Sequence, residues 1–209
     1  MNTSPFFRSR PIGRLAIATG LMGVTTLIFG LIFAFGGDIV GDSISIFYRL
    51  NDLFNLIMAL MSGVLAWMLY SHFQEKMTSL HGGLLILILV GMLLAVLGFW
   101  MIAFGRTGWI LSGWYTDTGF AFIGLWLIGV NYTAFQNDLL PKGISLYGIL
   151  VGIVMALGFA SLPGLLRNID STDFMSPLLY GMWTASIRGW ILLYPIWCII
   201  LGRHFLKQN

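Results

Sequence analysis

A run of about 20 apolar residues is long enough to cross the hydrocarbon of a bilayer, and this sequence contains six such runs in 209 residues. No water is present at that depth to satisfy peptide groups, so each run must close its backbone hydrogen bonds internally, as a helix. The blocks fall at roughly 15–36, 52–72, 83–104, 117–136, 144–166 and 179–202, with each end fixed to within ~2–4 residues. They predict an all-α polytopic transmembrane bundle forming one domain over 1–209. About 132 residues are used in the blocks, which leaves about 11 for each tail or loop. No loop can hold a folded soluble domain. Composition closes the alternatives: 9% of residues are charged and mean hydropathy is +0.89, whereas a soluble domain carries about 25% charged residues. A soluble enzyme, a nucleic-acid-binding module and a disordered tail are excluded.

Lys and Arg set the orientation. Arg8, Arg10, Arg14, Lys76, Lys142, Arg203 and Lys207 fall on one side of the spans, against Arg49, Arg106 and Arg167 on the other. Seven against three places both termini in the cytoplasm. Asp38, Asp42, Asp52, Asp117, Asp170 and Asp173 lean to the outer side, with Glu75 and Asp138 inside. The apolar run after Arg14 exceeds the 7 to 15 residues of a cleavable signal, which favours a retained anchor over cleavage near Ala34 to Gly37. Between Arg106 and Asp117, the residues Trp109, Ile110, Leu111, Trp114 and Tyr115 fit a segment lying along the outer interface, with capping a cavity or meeting a partner as the alternative. Cys198 is the one cysteine, so no intramolecular disulfide can form.

Lipid tails are as apolar as Leu, and helices in a bilayer therefore associate through close backbone approach and polar contacts. In the fifth block Gly148, Gly152, Ala156, Ala160 and Gly164 recur every four residues. The sixth block carries Gly181, Ala185 and Gly189, and the second carries Ala59, Ser62, Gly63 and Ala66. The pattern predicts that the fifth and sixth helices cross closely with the second as a neighbour. Pro163 and Pro195 lie inside blocks and kink them.

One formal charge lies deep in a block: Arg188. Arg near the bilayer centre costs at least ~2.5–3.5 kcal/mol, so it is expected to face the bundle interior and find partners. Thr184, Ala185 and Gly181 are its neighbours on the helix surface. Side chains lean toward the helix N-terminus, which points Arg188 at a polar cluster with Asp52 and Asn55, and with Asp117 as a further member. Asn131 and Tyr132 sit too far toward the inner side. Such a cluster can clamp the helices, bind an anionic group, or relay ions through an Asp.

His72, His81 and His204 fall at or beyond block ends and no block contains Lys, which argues against a mid-membrane haem or Schiff-base cofactor. His72, Glu75 and His81 read as a solvated loop rather than a metal set. Ser161 and Ser186 have no activating His nearby in sequence and read as interhelical hydrogen bonders. No catalytic motif is present, so a non-catalytic chain without cofactor or metal is expected.

The stretch GLWLIGVNYTAFQNDLLPKGISLYGILVG, Gly124 to Gly152, resembles a bacterial family of multi-pass membrane proteins of unknown function, in which a Leu-Pro-Lys corner leads into a Gly-rich helix. Leu140, Pro141 and Lys142 form that corner here, and RLNDLFNLIMALMSGVLAWMLY in the second block is similar in pattern. The resemblance implies six helices and a bacterial inner membrane, with no activity or site attached. The sequence thus points to a structural, accessory or interaction subunit clamped by Arg188. The alternative is a small transporter or binding protein for an anionic or amphipathic small molecule. The partners expected are the lipid bilayer and other membrane subunits or lipids, and no nucleic acid.

Overall fold

The computed structural model describes residues 9–35, 44–73 and 80–208. Arg8, Asp38, Asp42, Glu75 and Lys76 lie outside the described residues, as does the side chain of His81. The described chain is helical: α1 Ser9–Phe35, α2 Ile44–Phe73, α3 Leu80–Ala103 and α4 Trp109–Gln136 are single helices. The fifth span is composite, with α5 Lys142–Ala156, a 3-10 turn Leu157–Ser161 and α6 Leu162–Arg167. So is the sixth, with α7 Pro177–Arg188, a π-helical stretch Gly189–Leu193 and α8 Tyr194–Lys207. Six stretches are long and apolar enough to cross a membrane.

The two irregular stretches explain the prolines. Pro163 follows the 3-10 turn and Pro195 follows the π stretch, each near the start of the helix that resumes. A proline has no N–H to give the preceding turn, and a locally tightened or widened helix accommodates the loss. Where the fifth span tightens, Ser186 Oγ from the sixth donates to the Met155 carbonyl (2.8 Å), and Thr118 and Ser161 share a hydroxyl hydrogen bond of 2.8 Å. Asn168, in the left-handed region at φ 53°, ends α6, a conformation that Asn tolerates better than most residues.

Each span packs against the next, and the sixth closes on the first to complete a ring. Three seams are made by paired glycines. A Cβ added at Gly124 would lie 2.6 Å from the Gly152 carbonyl oxygen, and one added at Gly152 would lie 2.6 Å from that of Gly124. Gly91 with Gly119 joins the third and fourth spans in the same reciprocal way, and Gly13 with Gly202 joins the first and sixth. The last pair also places the start of the first span beside the end of the sixth.

The small-residue stripe of the fifth span therefore serves a different neighbour from the one expected. Gly148 lies against Asn131, Gly152 against Gly124 and Gly164 against Trp114, all on the fourth span. Ala160 is buried with Trp114 and Trp183. The sixth span also packs on this helix, where Gly158 meets Ser186, where Gly189 meets Val154 and Met155, and where the Tyr147 hydroxyl donates to the Leu193 carbonyl (3.2 Å). Ala156 and Ala185 are half-buried, and Gly181 faces open space. A stripe of small residues permits close approach but does not name the helix that approaches; ring order does. The second span likewise packs on the first and third, with Gly63 against Met92.

Residues 109–115 are a second correction. They form the opening turns of α4 rather than a segment lying along an interface. Trp114 is 0% exposed and its indole N–H donates to the Ile169 carbonyl (2.6 Å). The Leu111 N–H donates to Asp170 Oδ1 (2.8 Å), so a carboxylate 59 residues away caps a helix whose own N-cap residue, Gly108, has no side chain to do so. A negative charge at a helix N-terminus also complements its dipole. Asp170→Ala is expected to lower stability by about 1 kcal/mol, the usual value of an N-cap; unchanged unfolding in a dodecyl sulfate titration would contradict that role.

Candidate functional site

Both carboxylates singled out in the sequence sit deeper than the apolar blocks implied. α2 begins at Ile44 and α4 at Trp109, so Asp52 and Asp117 each lie about two helical turns inside their helices. They face one cavity of about 150 Å³ between the second, third, fourth and sixth spans, at the end of the bundle opposite the termini. A second recess, of about 500 Å³, is bounded by Tyr48, Asn51, Asp52 and Trp109. It shares Asn51, Asp52 and Trp109 with the first.

The walls are aromatic: Phe99, Phe120, Trp183 and Trp190. Trp190 stacks on Phe120, with centroids 4.5 Å apart, and on Tyr194 at 5.2 Å, and Tyr194 stacks on Trp197 at 5.9 Å. This column of rings fills the bundle below the cavity.

The polar groups divide into those already satisfied and those left open. Asn55 has a partner at each polar atom: its Oδ1 accepts from Trp190 Nε1 (3.0 Å) and its Nδ2 donates to the Asn51 carbonyl (3.0 Å). Ser112 and Thr116 turn back to donate to carbonyls of their own helix, at Trp109 and Gly113. Asp117 is 2% exposed; its Oδ2 accepts from Trp183 Nε1, and its Oδ1 has no partner. Asp52 is 5% exposed and its Oδ2 has no partner either. Two buried carboxylates of residues that line one cavity thus each keep an oxygen without a donor, an arrangement that carries a desolvation penalty.

Arg188 is not that cation. Its side chain is exposed, and it does not line the cavity. Thr184, half-buried, donates to the Gly181 carbonyl (3.0 Å) and also takes no part. The expected Arg-centred cluster is therefore not formed, although Asp52, Asn55 and Asp117 do come together. The reason lies in the face the sixth span presents. Trp183, Trp190 and Trp197 recur every seven residues, with Tyr194 and Leu201 each four beyond a tryptophan, and all five are buried. That is the apolar stripe of a core-facing helix. Arg188 lies two residues from Trp190, about 200° around the helix. The seven-residue tryptophan spacing was the signal available for Trp183 and Trp190, which sequence reasoning passed over in favour of the small residues around Arg188.

The other polar residues weighed in the sequence sit elsewhere. Asn131 is buried among the fourth and fifth spans, with Nδ2 donating to the Leu127 carbonyl, and Tyr132 is exposed. Among the described residues, no three of His, Cys, Asp and Glu converge as a metal-ligand set. The chain matches no family profile, no curated protein and no solved structure. The functional reading rests on the chemistry of the cavity.

Proposed function

We propose that this chain is a non-catalytic, multi-pass membrane protein that binds or carries a small amphipathic molecule in the cavity between its second, third, fourth and sixth spans. The observation that carries this reading is the pair of buried carboxylate oxygens left without partners against aromatic walls. Apolar pockets with a few convergent polar groups are the usual form of small-molecule sites, and intramembrane ionisable residues that face a cavity mark substrate or ion pathways. The excess of Lys and Arg on one side supports a cytoplasmic position for both termini, so that the cavity opens away from the cytoplasm. The resemblance noted in the fourth and fifth spans supports a bacterial inner membrane.

Thiol accessibility tests the reading. Gly113 lines the cavity, and a Cβ added there would lie 3.8 Å from both Asp117 Oδ2 and Trp183, an ordinary contact that cysteine fits. The native Cys198 is buried, so it supplies little background. In liposomes, Gly113→Cys is expected to react with a membrane-impermeant thiol reagent from one side, while the parent chain does not. An unreactive Gly113→Cys would mean a closed, dry interior. The reading left would then be an accessory or interaction subunit, which the exposed guanidinium of Arg188 on a membrane-spanning helix favours.

A further inference from the structure

We propose that the ligand of this cavity is an organic ammonium ion, a cationic nitrogen on an apolar or aromatic body, with Asp52 and Asp117 as its counter-charges and Phe120, Trp183 and Trp190 as its walls. This rests on the cavity reading above and gives the guest its charge and chemical class.

Three observations point the same way. The first is sign. Among the described residues, the only formal charges lining the cavity are the two carboxylates, and each has an oxygen with no donor. Arg188 is exposed and outside the lining; Arg49 and Arg106 are also exposed, and neither lines the cavity. An anion placed here would meet like charge in a poorly solvated space, whereas an ammonium supplies the missing N–H donors. The second is the wall. Phe120, Trp183 and Trp190 line the cavity, and rings of this kind accept an apolar or aromatic body. The third is the lack of a coordination shell for a bare metal ion. Calcium, for example, takes six to eight oxygens. Here the Ser112 and Thr116 hydroxyls donate to their own helix and the Asn55 oxygen accepts from Trp190, which leaves the two carboxylates and the Asn51 amide among aromatic rings, fewer side-chain oxygens than such a shell takes.

Size agrees with this class. An apolar cavity of ~150 Å³ accommodates one aromatic ring, and the adjoining recess of about 500 Å³ between Tyr48 and Trp109 leaves room for a longer body. Tyr48 and Trp109 stand at the mouth, and Trp109 is 59% exposed.

The test uses the full chain in liposomes with Gly113→Cys and two methanethiosulfonates of similar size and opposite charge, the ethyltrimethylammonium and the ethylsulfonate. Each rate is normalised to that of a free thiol in solution. Charge focusing in a cleft raises the local counter-ion concentration by ~10-fold or more, so the cationic reagent is expected to react at least about tenfold faster than the anionic one. Asp52→Asn combined with Asp117→Asn is expected to bring the two rates together. Phenethylammonium is expected to protect the thiol, and phenylacetate to leave it reactive. If the double variant does not fold, Asp52→Asn alone serves, because Asp52 holds no Trp183-type bond, and it is expected to shrink the cationic advantage. Equal normalised rates, faster reaction with the sulfonate, or protection by phenylacetate would each overturn the cation assignment while leaving the cavity in place. Reaction with neither reagent would overturn the cavity reading itself.

Discussion

Trp190→Ala is expected to be among the most damaging single substitutions in the bundle, lowering unfolding free energy by about 3 kcal/mol. Trp→Ala in a soluble core costs roughly 3–5 kcal/mol, part of it transfer from water and part the cavity left behind. In a bilayer the unfolded helices remain in lipid, so the transfer part falls away and the lost packing remains. That packing is extensive here: Trp190 is 1% exposed and sandwiched between Phe120 and Tyr194. Truncation also removes the donor to Asn55 Oδ1, a buried acceptor whose loss of a partner costs about 1–3 kcal/mol. Trp190→Phe separates the two effects by keeping a ring and removing the N–H. Dodecyl sulfate unfolding of both variants is the measurement; a loss under about 1 kcal/mol for the alanine variant would mean the ring column does not hold the spans together.

Gly152→Leu is expected to be comparably damaging, for the opposite reason. Overpacking usually costs about 1–3 kcal/mol where side chains can shift. Here the obstacle is backbone, since the new Cβ would lie 2.6 Å from the Gly124 carbonyl oxygen and 2.9 Å from the Ile128 nitrogen. The fourth and fifth spans must separate, and the loss is expected at or above the upper end of that range. Gly181→Leu is the control: nothing lies within 4 Å of a Cβ there, so stability is expected to stay within about 0.5 kcal/mol. The two variants are indistinguishable in the sequence, where both glycines belong to small-residue stripes. Equal melting temperatures in detergent would refute the seam.

That pair also shows what was legible. The number of spans follows from length and hydropathy, because a bilayer imposes both. The ends of the spans were harder to read. Opening turns such as Asn51-Asp52 and Ser112 to Asp117 are polar toward the cavity, and this lowers the apolar average where the helix has already begun. Asp52 and Asp117 were consequently placed at a rim instead of inside. Asp52, Asn55 and Asp117 nevertheless line one cavity, because a polar group within a span has few places to go. Arg188 was misassigned because close-packing signals and interior-facing signals fall on different faces of the sixth helix. The tertiary choice between them depends on Asp117 and Asn55, which accept the indole N–H groups of Trp183 and Trp190 from sequence separations of 66 and 135 residues. No local window contains that information.

The glycine pairs also distribute stiffness unevenly. First to sixth, third to fourth, and fourth to fifth, the spans meet backbone on backbone, and such contacts have no rotamer to change. The glycine contacts of the second span are of another kind: its one glycine in α2, Gly63, rests on the Met92 thioether, and Gly23 of the first span meets it through the Met58 sulfur. Methionine side chains rearrange at little expense. The glycine contacts of the helix that carries Asp52 and Asn55 thus run through thioethers that can repack, and not through backbone.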